Sequence, residues 1–147
     1  MCDRMIMQQA FCRAAQTALF FMPRICPMDY GMLYIQNRRV NNRLIQSGGV
    51  LNGQRFFLSH TVCEKAKLLD IEKCSILDFL IGELEYEKCY FEDMTIVTGH
   101  TPTGFIDPAY TGRIWKGNNH IAVDCGAVFG NPLGCICLDT TEEIYID

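Results

Sequence analysis

Two apolar runs in this chain end in histidine: Phe56-Phe57-Leu58-Ser59-His60 and Met94-Thr95-Ile96-Val97-Thr98-Gly99-His100. Neutral imidazoles ligate borderline transition metals such as manganese, iron or zinc. If the two runs are neighbouring parallel strands, both rings leave the sheet at one carboxyl edge, where open α/β sheets hold their ligands. Gly99 would let the backbone turn tightly so that the second ring faces inward, and Pro102 would stiffen the exit. A strand-end histidine is also a common surface or hydrogen-bonded residue. Two imidazoles, moreover, fall short of the three or four ligands that a bound ion needs. The third histidine, His120, precedes another apolar run and reads as structural or surface. Asp124 ends that run on the same edge. It suits either a hydrogen bond to a ligand histidine or the turn before Gly126. Cys125 has no base beside it in sequence and is not assigned as a nucleophile. Cys135 and Cys137 put two thiols on one strand face, a weaker metal candidate with no second pair or nearby histidine to complete it.

The elements that must position these residues follow from turn signals and periodicity. Asn52-Gly53 is a hairpin turn signal and leads into a strand over 54–59. Ile76, Leu77, Leu80, Ile81 and Leu84 recur at helical spacing, which predicts helix within Ile71–Tyr90 capped by Asp70 or Ser75. Met94–Thr98 reads as a strand, as do His120–Asp124, Gly134–Leu138 and Glu143–Ile146. Asp107-Pro108 and Thr111-Gly112 mark loops. Residues 49–147 therefore read as a strand-rich α/β unit. Residues 1–48 differ from them. Ile6–Met22 suits an amphipathic helix ended by Pro23, a basic, amide-rich loop or solvated face covers Gln36–Arg43, and Gly48-Gly49 marks a break.

The 147 residues suit one domain, and 49% hydrophobic residues suffice for a core. A net charge of −4 disfavours nucleic acid or an anionic membrane as the main partner. No window approaches the roughly 18–20 apolar residues of a membrane span. Nine cysteines, an odd number with no secretion signal ahead of them, read as reduced thiols in a cytoplasmic protein.

Ile96-Val97-Thr98-Gly99-His100-Thr101-Pro102-Thr103 resembles the last metal-binding motif of the calcineurin-like metallophosphoesterases, in particular the bacterial serine/threonine protein phosphatase branch. Asn52–His60 resembles the penultimate motif of that family, and Leu84–Asp93 its linker between the two. Asn118–Gly130 and Leu133–Thr140 are similar to the segments after the last motif. The resemblance implies the C-terminal half of a four-layer αββα sandwich over residues 49–147. It implies that His60 and His100 ligate one ion of a dinuclear manganese, iron or zinc centre, with Thr101 and Asp124 supporting them. The parent reaction is attack of metal-activated water on a phosphomonoester, carried by a phosphorylated protein or a small phosphoester. The family opens with G-D-x-H-G, G-D-x-x-D-R-G and G-N-H-[DE], and none of these occurs here. The resemblance thus implies a hydrolase fragment with no catalytic residue assigned, inactive as an isolated chain. The alternative is a non-catalytic interaction module that pairs with a separate N-terminal half or with itself.

Overall fold

The computed structural model describes residues 48–147, apart from the Ile71 side chain, and the backbone of the strand segments 6–12, 16–21, 36–40 and 43–47. The strands in chain order are β1 (Ile6–Cys12), β2 (Gln16–Phe21), β3 (Gln36–Val40), β4 (Arg43–Leu51), β5 (Gln54–Ser59), β6 (Met94–Thr98), β7 (Trp115–Gly117), β8 (His120–Ala122), β9 (Leu133–Cys137) and β10 (Glu143–Ile146). Among the described residues helix is confined to α1 (Lys65–Leu68), α2 (Thr103–Ile106) and single 3₁₀ turns. The fold is thus mixed α/β and strand-rich.

Two sheets form. One has the order β10-β9-β1-β2 and is antiparallel throughout. The other has the order β3-β4-β5-β6-β8-β7, and its centre, β5, β6 and β8, runs parallel. The hairpin signal at Asn52-Gly53 is met: Leu51 pairs with Gln54, and both turn residues take positive φ, 50° and 80°. Positive φ at both central positions gives the turn whose twist matches that of the strands it joins.

The period-2 alternation of β5 and β6 divides the core between the two faces of the larger sheet. Phe56, Leu58 and Val97 point one way and meet Ile136 of β9, with Ile114, Val123, Cys125 and Leu138 around them. Ile96 points the other way and joins Val62, Cys63, Leu68, Cys74, Phe79 and Tyr90 from the β5–β6 connection, with Phe57 packed against them. The layers are therefore sheet, sheet and a cover of short helical turns.

Four sequence readings are corrected. Ile6–Met22 is not helical: β1 and β2 pair from Met7↔Phe21 to Cys12↔Gln16, while residues 13–15 and Met22 lie outside the described residues. The backbone groups of β1 find partners on both sides, in β2 and in β9, which a helix would forgo. Gly48 and Gly49 are no break but sit inside β4, opposite Phe57 and Phe56. The basic stretch Gln36–Arg43 is no loop, since β3 and the start of β4 pair there, with 41–42 outside the described residues.

The predicted helix within Ile71–Tyr90 reduces to two 3₁₀ turns, Ile71–Lys73 and Leu77–Phe79. Asp78 secures the start of the second turn: its carboxylate accepts from the Ser75 N–H at 2.6 Å and the Ser75 hydroxyl at 2.7 Å, and it pairs with the Lys67 ammonium. Most of the expected core stripe faces outward: Ile76, Leu77, Leu80 and Ile81 are exposed, Leu77 at 57% and Ile81 at 64%, whereas Leu84 packs against the core and Phe79 is 1% exposed.

Candidate metal site

β5 and β6 are adjacent and parallel, in register from Arg55↔Met94 to Leu58↔Val97, so their carboxyl ends emerge together. One further backbone bond, Gly99 N–H to His60 O at 3.0 Å, carries the pairing past the strand ends. The two histidines that follow meet: His60 Nε2 lies 2.9 Å from His100 Nδ1, and the rings sit edge to face at 70° with centroids 4.7 Å apart.

The turn that aims His100 is unusual. Its φ is 69°, a region costly for a residue with a β-carbon, and the Thr101 N–H donates to Gly99 O across it at 2.8 Å. An i→i+2 bond around a central residue of positive φ is the rare, strained hand of the γ-turn. The expectation had placed the backbone freedom at Gly99, but the structure places it at His100. Strain of this kind costs about 1–3 kcal/mol and persists where the surroundings over-determine it.

The His60 loop is held from behind. The Thr61 N–H donates to Phe79 O at 3.3 Å, and its hydroxyl donates to Gly82 O at 3.0 Å. Gly82 is required by close approach: a β-carbon there would sit 2.2 Å from Asp78 O and 2.6 Å from Val62 O. Burial, reinforced by repulsion from His100, lowers the His60 pKa to about 4, so its imidazole is neutral near pH 7. His60 Nδ1 is buried with no hydrogen-bond partner. The orientation of His60 thus comes from packing and from His100, not from the carbonyl or carboxylate that commonly steadies a metal-binding imidazole.

Asp124 is 4% exposed, and its Oδ1 accepts from the Gly126 N–H at 3.0 Å. Of the two roles open to it, this is the turn role. Its backbone carbonyl accepts from the Thr103 N–H at 2.8 Å and so fastens the end of β8 to the chain leaving His100. Thr101 faces Tyr86, a residue that no motif or spacing marks out. Burial raises the Tyr86 pKa, and the Thr101 and Thr98 hydroxyls oppose that shift. The Tyr86 hydroxyl nonetheless completes no hydrogen bond of good geometry.

His120 is structural. It is 3% exposed, stacks on Tyr86 at 17° and 5.2 Å, and its Nε2 lies 2.7 Å from Thr98 Oγ1. Cys125, Cys135 and Cys137 are buried. Among the described residues no group of three or more histidine, cysteine, aspartate or glutamate side chains is placed to hold a metal ion. A cavity of about 310 Å³ opens near Leu51, Phe56, Thr95 and Ile136, towards the amino ends of β5 and β6 and away from the histidines.

No family model, curated protein or solved structure matches this chain. The functional reading therefore rests on the pair His60–His100 and its setting. The two histidines expected as ligands are brought together, and His120, expected to be structural or surface, is built into the core behind them. No helix among the described residues is long and apolar enough to cross a membrane.

Proposed function

We propose that this chain is the C-terminal half of a metallophosphoesterase of the serine/threonine phosphatase type, and that His60 and His100 supply one edge of its metal site. The observation that carries the reading is the approach of His60 Nε2 to His100 Nδ1, 2.9 Å, at the carboxyl edge of two parallel strands. At 2.9 Å the two imidazoles share a hydrogen bond; two nitrogens on one tetrahedral ion at about 2.05 Å would stand about 3.3 Å apart, so the pair needs to part by only a few tenths of an ångström to take one ion. The neutral state of His60 leaves a lone pair available. Strain at His100 is a second support, because strained backbone clusters where side-chain direction matters.

A manganese, iron or zinc ion, once bound, would supply Lewis-acid stabilisation of a phosphoryl oxygen and an activated water. The chain's own part is to hold two imidazoles at a fixed separation and to keep the His60 side of the site dry. Two imidazoles form only part of a coordination shell. The remaining ligands, and with them turnover of a phosphorylated protein or small phosphoester, are assigned to a complementary N-terminal half. The exposed apolar side chains of Leu69, Ile76, Leu77, Leu80 and Ile81 favour a companion reading, in which this surface is covered by that half or by a second copy of the chain.

Manganese(II) titration of the purified chain followed by electron paramagnetic resonance tests the site, because manganese avoids thiolates and so ignores the cysteines. Binding lost in both His60→Ala and His100→Ala is expected. Binding retained in both would refute the site. Hydrolysis of an aryl phosphate by the isolated chain, dependent on His100, would refute the half-domain part alone. A monodisperse monomer in sedimentation velocity at high concentration would count against self-association.

A further inference from the structure

Apart from the histidine pair, two cysteine side chains meet among the described residues. Cys63 Sγ and Cys74 Sγ lie 3.5 Å apart, with the chain from Glu64 to Lys73, including α1, looping between them. Both are unbridged thiols, 4% and 6% exposed, in the apolar cluster that covers the outer face of the larger sheet. Cys74 donates its proton to Lys67 O at 3.4 Å. Its sulfur is therefore the acceptor in the S···S contact, and Cys63 is the donor. Lys67, which feels both thiols, is committed to Asp78 at 2.7 Å. The dithiol has no third ligand for a metal among the described residues.

We propose that Cys63 and Cys74 are a redox-active dithiol that closes to an intrachain disulfide under a two-electron oxidant of the hydroperoxide class. Cys74 reacts first. Its neighbours Lys73 and Ser75 are exposed, whereas Cys63 follows the fully buried Thr61 and Val62. Its thiol loses a proton, and the sulfur attacks one peroxide oxygen. The O–O bond breaks, the leaving hydroxide (an alkoxide, from an alkyl peroxide) takes up that proton, and Cys74 becomes a sulfenic acid. Cys63 sulfur then attacks the Cys74 sulfur. The S–O bond breaks, hydroxide leaves with the Cys63 proton as water, and the S–S bond forms. The two sulfurs give up two electrons, and the peroxide is reduced by two.

Burial and the hydrogen bond to Cys74 hold the Cys63 thiol well above its usual pKa, so it is not the thiol that meets peroxide first; its part rests on its contact with the Cys74 sulfur. Reaction requires the 64–84 segment to open. That segment is built for it, with one four-residue helix, single 3₁₀ turns and several exposed apolar side chains. Closure would fasten Cys74 to a residue three positions beyond His60, in the stretch that Phe79 O and Gly82 O hold through Thr61. The inference does not depend on the metal site.

The test is a peptide map of the full chain after treatment with hydrogen peroxide and alkylation under denaturing, non-reducing conditions. Trypsin cuts after Lys65 and Lys73, so the two cysteines leave in separate peptides, Phe56–Lys65 and Cys74–Lys88. The expected result is these two peptides joined, lighter by two hydrogens than their sum, on a chain that remains monomeric. Dithiothreitol should separate them again. Cys74→Ser should abolish the linked species and leave Cys63 alkylated. The wild-type map stands by itself if that variant fails to fold. Recovery of Cys63 and Cys74 both alkylated, while other cysteines have oxidised, would overturn the proposal, as would Cys63 linked indiscriminately to several cysteines.

Discussion

His120 should make this protein acid-sensitive, by an amount the structure sets. Burial alone lowers its pKa from 6.5 to about 3. Its Nδ1 has no partner, so the lower-cost tautomer carries the proton on Nε2 and donates it to Thr98 Oγ1 at 2.7 Å, leaving Nδ1 a buried acceptor. A second proton would place a charge between Tyr86 and Trp115 with nothing to pair it. Between about pH 3 and pH 6.5 the unfolded chain binds this proton and the folded one does not. Stability therefore rises with pH through that window and is lost as pH falls. Integrating the difference gives a loss of about 2 kcal/mol between pH 7 and pH 5 from this residue. The control is His120→Phe combined with Thr98→Val. It keeps the stacked ring, removes the titrating group, and replaces both hydrogen-bond partners by apolar groups of similar shape. Urea unfolding followed by circular dichroism at pH 7 and pH 5 should show the wild type losing about 2 kcal/mol more than the double variant. Titration of His60 is common to both proteins and cancels in the comparison. Equal losses in the two would refute the reasoning, since they would mean that His120 is solvated or already protonated in the native state.

His100→Gly should be more stable than His100→Ala by about 1 kcal/mol in urea unfolding, because only glycine takes the left-handed φ of 69° without a β-carbon penalty. Equal stability would mean that the turn relaxes once the imidazole is gone. Gly82→Ala should cost about 2–3 kcal/mol by forcing its β-carbon against two backbone carbonyls, and it should weaken manganese binding by moving the Val62 segment behind His60. Gly53→Ala meets no atom within 4 Å, so only its φ of 80° resists, at about 1 kcal/mol. The order of these two glycine variants in urea midpoint separates steric from conformational cost. Tyr90→Phe should cost about 1–2 kcal/mol in thermal unfolding, since the Tyr90 hydroxyl accepts from the Glu85 N–H and donates to Cys63 O, each at 3.0 Å.

The sequence was legible where a local rule and the tertiary structure agree. Met94–Thr98 and Glu143–Ile146 are strands with the boundaries their composition suggested, and the Asn52-Gly53 turn sets the register of β4 on β5. The parallel pairing of β5 and β6, which brings the histidines together, was open to a conditional reading only: a connection of more than thirty residues permits a crossover but does not demand one. The 71–90 helix failed because periodicity presumes a core for the stripe to face. The close approach of Gly82 to Val62 fixes a tighter path, which buries Phe79 in place of its neighbours. Tyr86 and the Cys63–Cys74 contact depend on side chains that meet across the β5–β6 connection, and no spacing rule announces them.

The position of the strain is the second support for the site. Gly99 stands immediately before His100 and takes positive φ at little cost, yet the structure keeps Gly99 out of that region and places His100 in it. With the left-handed turn at residue 99, the imidazole would leave the chain one residue later and in a different direction from the strand end. With the turn at residue 100, the Cα–Cβ bond of the histidine itself is redirected, and Nδ1 arrives beside His60 Nε2. A histidine so placed gains its direction, at a backbone cost of about 1–3 kcal/mol. A lower cost on His100→Gly accompanied by loss of manganese binding would show strain and orientation to be two sides of one arrangement. Manganese binding left intact in His100→Gly, which has no imidazole, would instead remove His100 from the site.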